Sequence, residues 1–395
     1  QSKNDTFHPH SGACPMKIEY QAVVYHGSRH GADGQIAFFD SSRRLSSGTW
    51  MSGYTTGKVK HHRQATIRLS RSRDDANSWE TLPWKFRTDI DGVPGSLAGA
   101  EIVEPAPGRL LLFSTWFDRS EPDRPLFDPD TEGILRSRQL ICESADEGST
   151  WSDWREIPTP GLKGCAMTGP VVQWSDGVIG FAFESFKEFD DPTPVEPAAW
   201  LLLSEDGGAT FDRRFQVAQD PDSRLYYWDQ RICPGKTAGD FLALFWVHDR
   251  SAQRDLRVHL LRSSITTGDR PTVQPTETTI PGQIAAPLLL DEDRILAFVV
   301  DRDRPGTLTL WQSPDDGVTW PEQDALTLHV HDEQARLSQG SGKDNVDFAQ
   351  FWEDMGRWSF GHPTLKSAGP DRVLATWYAG TPDCMDVHSA MIDVS

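Results

Sequence analysis

The feature of this sequence that most constrains its fold is an eight-residue segment that recurs along the chain. SADEGSTW begins at Ser144, and the pattern Ser-x-Asp-x-Gly-x-Thr-Trp returns as SEDGGATF from Ser204 and SPDDGVTW from Ser313. SRDDANSW from Ser72 is a degraded copy, and SITTGDRP from Ser264 keeps only its serine and one glycine. The starting serines are 72, 60, 60 and 49 residues apart, which predicts an array of similar units of roughly 60 residues.

Each residue type in this segment suits a tight turn. Ser and Asp oxygens accept hydrogen bonds from nearby backbone N–H groups, Gly adopts positive φ, and Trp packs beneath the turn. The segments between the copies are short, alternate between apolar and polar residues and are broken by Gly, Pro and Asp, which is typical of β-strands. We therefore predict that the repeated segment folds a turn and takes no part in catalysis.

Composition favours one all-β domain over residues 1–395. The chain holds 15 Trp and 19 Phe to fill cores between sheets, and 32 Gly and 27 Pro to supply turns. A repeat of this length indicates one closed array of units rather than two separate domains. We predict a six-bladed β-propeller of four-stranded antiparallel blades.

The ends of the chain are predicted to complete the ring. The sixth unit, from FGHPTLKSAG to VHSAMIDV, lacks a fourth strand, and KIEYQAVVYHG at residues 17–27 has no partner of its own. Pairing these two segments would remove an exposed sheet edge. It would also bring Cys14 and Cys384 near each other, and whether they form a disulfide is left open. Residues 331–358 fall outside the repeat and are predicted to be an insertion with a short helix in VDFAQFWEDMGRW.

Charge and cysteine spacing exclude several functions. The net charge of −19, from 39 basic and 58 acidic residues, disfavours non-specific nucleic-acid binding. The sequence contains no run of 18 apolar residues, so no membrane span is predicted. The five cysteines show no Cys-x-x-Cys spacing, so we expect no metal site and no cofactor. The first residues, QSKNDTFHPHSG, are polar and do not form a signal-peptide core, so no signal peptide is visible, and we expect a secreted or periplasmic protein.

The repeated segment resembles the Asp-box, or bacterial neuraminidase repeat, of the sialidase superfamily, and the resemblance covers nearly the whole chain. It implies a carbohydrate substrate, three arginines that clamp a substrate carboxylate, a Tyr paired with Glu as nucleophile, and an Asp as acid/base. Several of these positions differ in this chain. His61 and His62 stand where the Asp is expected, and FGHP, with His362, stands where the Tyr is expected. The chain is therefore predicted to be a divergent relative of the classical sialidases.

The first strands of propeller blades converge on a shared axial pocket, so polar residues near their starts and on the loops after the second strands are candidates for function. The catalytic candidates are His62, Asp229, His362, Glu101 and Glu184. The substrate-binding candidates are Arg29, Arg63, Tyr227, Arg231, His248, Arg250, Gln283, Arg302 and Trp116.

Three functions fit these residues. The first is an exo-acting glycoside hydrolase on a terminal sugar, acidic or neutral, with arginines that grip the substrate and Asp229, His62 or His362 that transfer protons. The second is a polysaccharide lyase, in which Arg neutralises a uronate carboxylate and His or Tyr removes the C5 proton. The third is a non-catalytic glycan-binding or protein-binding propeller, because a fold does not fix a function.

Overall fold

The computed structural model describes residues 16–291, 293–303, 305–331 and 355–395 and shows an all-β protein. Besides the strands, three short 3₁₀ helices lie at Gly27–Arg29, Ala32–Gly34 and Glu322–Asp324. In this part of the chain, no helix has the length and apolarity needed to cross a membrane. The strands, in chain order, are β1 (Lys17–Tyr25), β2 (Ile36–Arg44), β3 (Trp50–Gly57), β4 (Thr66–Ser72), β5 (Glu80–Thr81), β6 (Gly95–Ala106), β7 (Arg109–Asp118), β8 (Ser137–Ser144), β9 (Arg155–Ile157), β10 (Cys165–Ala166), β11 (Val171–Gln173), β12 (Ile179–Ser185), β13 (Ala198–Ser204), β14 (Arg213–Ala218), β15 (Leu225–Pro234), β16 (Asp240–Asp249), β17 (Arg254–Asp255), β18 (His259–Ser264), β19 (Thr276–Glu277), β20 (Ala285–Leu289), β21 (Ile295–Asp301), β22 (Thr307–Ser313), β23 (Leu326–Val330), β24 (Phe360–Gly369), β25 (Arg372–Thr381) and β26 (Cys384–Asp393).

Hydrogen bonding joins the strands into five sheets. Four of them are built from consecutive strands: β6 to β9, β10 to β14, β15 to β19 and β20 to β23. The fifth has the order β24-β25-β26-β2-β3-β4-β5, with β1 paired to β26 in antiparallel register. Its two halves meet at one parallel bridge, Ile36 to Met385. The sheets thus number five, where the sequence predicts six blades, because the first and last units are hydrogen-bonded to each other.

The first strands of successive units pack around a central axis. Contacts join β2 to β6, β6 to β11, β11 to β15, β15 to β20, β20 to β24 and β24 to β2. Apolar cores fill the space between neighbouring sheets. In one of them Ile67 and Leu69 of β4 pack with Leu97 of β6 and Leu112 of β7. This arrangement is a β-propeller, and it turns the first strand of each unit towards the axis.

The repeated segments fold nearly identical turns. In the copy from Ser144, the serine hydroxyl donates to Asp146 Oδ1 at 2.8 Å and accepts from the Gly148 N–H at 2.9 Å. Asp146 also accepts from the backbone and hydroxyl of Thr150, at 2.8 and 2.6 Å, while Trp151 Nε1 donates to the Gly148 carbonyl. The copies from residues 72, 204 and 313 share the serine and aspartate bonds. The serine, aspartate, threonine and tryptophan side chains of the segment from Ser144 are thus all used to close the turn.

Four of the first strands, which surround the axis and are called the axial strands below, carry a β-bulge a few residues after the strand begins. In each, two residues on the first strand oppose one residue on the second, and the first bulged residue has positive φ. These residues are Phe39 in β2 (φ 52°), Gly99 in β6 (φ 76°), Asp229 in β15 (φ 44°) and His362 in β24 (φ 52°). A Cβ at Gly99 would come within 2.4 Å of the end methyl of Met167, which would have to move, and its positive φ favours glycine. In the other three, a larger side chain occupies a conformation that costs about 1–2 kcal/mol.

Two predictions concern residues outside those described. Most of the predicted helix, from residue 346 to residue 354, and most of the insertion from 331 to 358 belong to this group. Cys14 does as well, so its pairing with Cys384 stays a prediction. Cys142, Cys165 and Cys233 are buried free thiols.

Candidate active site

A cavity opens on the axis at the end where the first strands begin. It encloses about 810 Å³ of space, part of it open to solvent. Its side walls are largely apolar, and its polar groups come from bulges in the first strands and from the ends of the second strands. The lining residues are Phe39, Lys60, His61, Ala98, Thr115, Phe117, Leu126, Phe127, Ile134, Ala166, Met167, Thr168, Glu184, Phe186, Trp228, Asp229, Ile284, Arg302, Met355, Trp358, His362 and Tyr378.

The bulge in β15 turns Asp229 towards the axis. Regular alternation would send Trp228 and Asp229 to opposite faces of the sheet, yet both line the cavity because the bulge interrupts the alternation. Gln230, which is fully buried, holds the bulge by donating from Nε2 to the carbonyls of Phe183 and Trp200. Non-glycine residues with positive φ cluster here, since Phe39, Asp229 and His362 all line the cavity. Such strain is typical of functional sites.

Two carboxyl groups meet in the cavity. Glu184, near the end of β12, accepts a hydrogen bond from the Gln230 N–H at 3.0 Å, beside Asp229. Burial, together with the charge of Asp229, raises the pKa of Glu184 to about 8. Burial also raises the pKa of Asp229, against the attraction of Arg231, Arg302 and Lys60. The pair therefore holds a proton at neutral pH, which is the state that a general acid requires.

Two cations line the cavity beside these carboxyls. Arg302 follows β21 and lies with its guanidinium carbon 3.9 Å from the centre of the Trp358 ring, which is a cation–π contact. Its backbone N–H donates to Gln283 Oε1 at 2.9 Å. Lys60 lies in the loop after β3, and its Nζ donates to the Tyr378 hydroxyl at 2.8 Å and to the Trp358 carbonyl at 3.1 Å. Burial and the charge of Arg302 hold the pKa of Lys60 well below its usual value.

Two histidines of the cavity, the buried His362 and the half-buried His61, are neutral. His362 Nδ1 accepts a hydrogen bond from Arg231 Nη2 at 3.0 Å. Burial and the charge of Arg231 lower the pKa of His362 well below its usual value, and burial with Lys60 does the same for His61. The loop that carries His61 is held by Arg119, whose Nη2 donates to the His61 carbonyl at 3.1 Å. Neutral rings in these places offer a ligand hydrogen bonds rather than charge.

The cavity brings together only part of the predicted site. Asp229, Glu184, His362 and Arg302 line it directly. Arg231 and Gln283 lie one contact behind it. Arg231 Nη2 is 3.6 Å from Asp229 Oδ1, and Gln283 bonds to the backbone of Arg302. Glu101 lies further along the axis, 5 % exposed.

The other candidates lie away from the cavity lining. Arg29 and Arg63 are exposed, and His62 is half-buried with its Nδ1 accepting from the Gln64 N–H. Arg250 bonds to the Tyr226 hydroxyl and to Glu132. The remaining three are buried within or between sheets: Trp116 donates to the Thr88 carbonyl, Tyr227 packs on Phe245, and His248 pairs with Asp255 at 3.0 Å.

Lys60 and Tyr378 are two polar lining residues that the sequence does not predict. Lys60 belongs to TTGKVKHHR, where His61 and His62 are the groups considered and His62 is the catalytic candidate, and Tyr378 lies on the second strand of the last unit, whereas the prediction considers the first. The signal for Tyr378 was its position in LATWYAG, near the end of a second strand, which is the position that also supplies Glu184. Among the described residues, no three His, Cys, Asp or Glu side chains are grouped so that they could hold a metal ion.

Comparisons with solved structures place this geometry among known propellers. A protein of unknown function from Dyadobacter fermentans superposes with a TM-score of 0.70 at 15% identity, over 96% of this chain and 100% of the other. A Hadza microbial sialidase superposes with a TM-score of 0.65 at 16% identity, over 94% of this chain and 68% of the sialidase. The fold is that of a sialidase-like propeller.

The sialidase-like propeller also resembles enzymes that act on other sugars. An α-L-arabinanase from Penicillium chrysogenum, complexed with arabinobiose, superposes with a TM-score of 0.61 at 10% identity over 96% of this chain and 99% of the arabinanase. In sequence, a xyloglucanase from Paenibacillus sp is 23% identical over 154 residues, which are 36% of this chain and 13% of the xyloglucanase. No family model matches the chain. The solved structures that share this fold are thus no more than 16% identical to this chain among those compared.

Proposed function

We propose that this protein is a glycoside hydrolase that removes a terminal sugar carrying an acidic group. The observation that carries the proposal is the pair of buried carboxyls, Glu184 and Asp229, in a cavity with aromatic walls and two cations. Glycoside hydrolysis commonly uses two carboxyl groups, one protonated and one ionised, on either side of the glycosidic bond. The fold shared with a sialidase and an arabinanase supports a glycan substrate.

The two carboxyls take different roles because their surroundings differ. Asp229 lies 3.6 Å from Arg231 and also interacts with Arg302 and Lys60, all of which favour its ionised form. Glu184 has a backbone N–H as its partner and keeps a proton up to about pH 8. Glu184 is therefore the general acid that protonates the leaving oxygen, and Asp229 acts as the base or nucleophile. His362, bonded to Arg231, positions that arginine behind Asp229.

The cations favour an acidic sugar. Arg302 is fixed by the Trp358 ring and by Gln283, so its guanidinium is pre-organised for a carboxylate. Lys60 lies on the same side of the cavity, since it bonds to the Trp358 carbonyl and to Tyr378. Phe186 and Trp228 provide apolar faces on which a sugar ring can stack. Leu126, Phe127 and Met355 close the walls, which favours an exo-acting enzyme that admits one chain end.

One observation favours a lyase as the second candidate. The hydrogen bond between Lys60 Nζ and the Tyr378 hydroxyl, with Arg302 also close to that hydroxyl, would stabilise a Tyr378 phenolate. A phenolate is a base strong enough to remove the C5 proton of a uronate, whose carboxylate Arg302 would neutralise. Burial, however, raises the pKa of Tyr378 above its usual value, which favours the hydrolase.

The deciding experiment is a panel of glycans with terminal sialic acid, uronic acid or arabinose, assayed for new reducing ends and for the absorbance of an unsaturated uronate. Glu184→Gln and Asp229→Asn should each lower the rate of sugar release by about 10²- to 10⁴-fold. Glu188→Gln, an exposed glutamate, is the matched control. Absorbance that survives in Glu184→Gln and disappears in Tyr378→Phe would establish the lyase instead. Glycan binding without either product would leave a non-catalytic binding propeller.

The architecture supports a finer description of the fold. The parallel bridge between Ile36 and Met385 is the one pairing that joins β2 to β26, so we infer that the eight-stranded sheet is two blades and that the propeller has six. β1 would then be the fourth strand of the last blade and close the ring within one domain. The repeated turns, with their shared serine and aspartate bonds, support their assignment as Asp-boxes. Secretion stays a prediction.

A further inference from the structure

A second pocket lies on the axis at the end opposite the candidate active site. The first strands run from one to the other. β2 contributes Phe39 to the cavity and Arg43 to the second pocket, and β24 contributes His362 and then Lys366. A strand rises about 3.3 Å per residue, so four residues separate the two pockets by roughly 13 Å. This second pocket, named here the distal pocket, encloses about 680 Å³ of space, part of it open to solvent.

The distal pocket holds two cations that the protein leaves without hydrogen-bond partners. Among the described residues, neither the Arg43 guanidinium nor Lys366 Nζ makes a hydrogen bond or a close ion pair. Both side chains are half-buried, and burial lowers the pKa of each. Glu101, deeper on the axis, attracts both side chains, and Glu104 attracts Arg43. The chain has a net charge of −19, so two such cations in one pocket make the charge there opposite in sign to that of the whole protein.

A bound anion would give both cations a hydrogen-bond partner within the pocket. Hydrogen bonds in which the donor and the acceptor are both charged are shorter and stronger than those between neutral groups. Arg44, at the mouth of the same pocket, differs because its Nη1 donates to the Ala368 carbonyl at 2.9 Å. The two unsatisfied cations face a wall that is apolar, formed by Val172, Ile232 and Leu365 among others. A ligand that matches both features has an anionic head and an apolar body.

We propose that the distal pocket is a binding site for a small organic carboxylate with an apolar body, held by Arg43 and Lys366. The site is separate from the candidate active site, since the two pockets share no lining residue. It does not depend on the proposed hydrolase activity. An organic carboxylate is preferred over an inorganic anion because much of the wall is apolar and would contact an apolar body. The apolar residues include Val172, Ile232, Pro287 and Leu365.

Isothermal titration calorimetry with benzoate tests the proposal on the whole chain. Wild type should bind benzoate saturably, and Lys366→Met and Arg43→Met should each weaken binding at least 10-fold. Lys85→Met, at an exposed lysine away from both pockets, should bind as wild type does. Lys366→Arg keeps the charge and should retain most of the affinity, which guards against loss of binding through misfolding. Arg302→Met should leave unchanged the benzoate binding that depends on Arg43 and Lys366, because Arg302 lines the other cavity.

Three results would overturn the proposal. The first is an absence of saturable binding to wild type. The second is binding that Arg302→Met abolishes and Lys366→Met leaves intact, which would place benzoate in the candidate active site. The third is binding of inorganic phosphate as tightly as benzoate, because a pocket that ignores the apolar body is an unspecific anion site.

Discussion

Asp40 offers a sharp test of the electrostatics of the axis. Its side chain is completely buried in the bulge of β2, and burial raises its pKa from the usual 3.8 to about 8, against the attraction of Arg231. In the folded protein Asp40 is therefore protonated at neutral pH, whereas in the unfolded chain it is ionised. The folded state binds more protons, so the stability that Asp40 contributes is full below about pH 4 and is lost as the pH rises towards 8.

The size of this effect follows from proton linkage. Between the two pKa values, each pH unit costs about 1.4 kcal/mol of unfolding free energy per group, so the loss between about pH 5 and about pH 7 is roughly 2.7 kcal/mol. Asp40→Asn keeps the shape and cannot ionise. Relative to wild type, the variant should therefore gain about 2.7 kcal/mol over that interval, whatever its offset at the lower pH.

Urea unfolding of wild type and Asp40→Asn at the two pH values measures this difference. Asp130→Asn, at an exposed aspartate, is the control and should follow wild type at both. A constant difference between Asp40→Asn and wild type would refute the reasoning, because it would mean that Asp40 is ionised in the folded protein and paired with a cation.

Three further predictions follow from the site and from the turns. Turnover of the preferred glycan should decline as the pH rises through about 8, where Glu184 loses its proton, and a rate that stays level to about pH 9 would exclude Glu184 as the general acid. Arg302→Lys should raise KM at least 10-fold with a smaller effect on kcat, because the ammonium group cannot reproduce the planar guanidinium held over Trp358; an unchanged KM would remove Arg302 from substrate binding. In urea unfolding, Ser144→Ala should lower the free energy of unfolding by about 1–2 kcal/mol, since the buried Gly148 N–H loses its acceptor. Ser149→Ala, in the same turn, should change it by less than about 0.5 kcal/mol. Equal effects would contradict the role given to Ser144.

The propeller could be predicted from the sequence because its defining signal is local. The hydroxyl of Ser144, the carboxylate of Asp146 and the ring of Trp151 all act within eight residues, so their order alone specifies the turn. Repeating that turn fixes where strands begin and end. The number of sheets depends instead on the bridge between Ile36 and Met385, which lie at opposite ends of the chain.

The candidate site was predicted less well because it depends on which way single side chains point. Tyr227 and Asp229 are two apart on one strand and would face the same side in regular alternation. The bulge separates them, so that Asp229 faces the axis while Tyr227 packs on Phe245 between sheets. In the loop after β3, His61 rather than His62 lines the cavity, and His61 has positive φ (57°). No sequence pattern marked these local departures.

The bulges in the axial strands also separate two constraints on the residues of these strands, which are pairing within the sheet and lining the cavity. Residues in regular register must match their neighbours across the sheet, whereas the extra residue of a bulge has no cross-strand partner. At Phe39, Gly99, Asp229 and His362, the identity of the side chain is therefore free of sheet pairing and answers only to the cavity and to the φ angle. Three of these positions, Phe39, Asp229 and His362, line the cavity. A new side chain could be introduced at any of the three while the scaffold around it kept its register, which makes them the first places to substitute in redesigning the cavity.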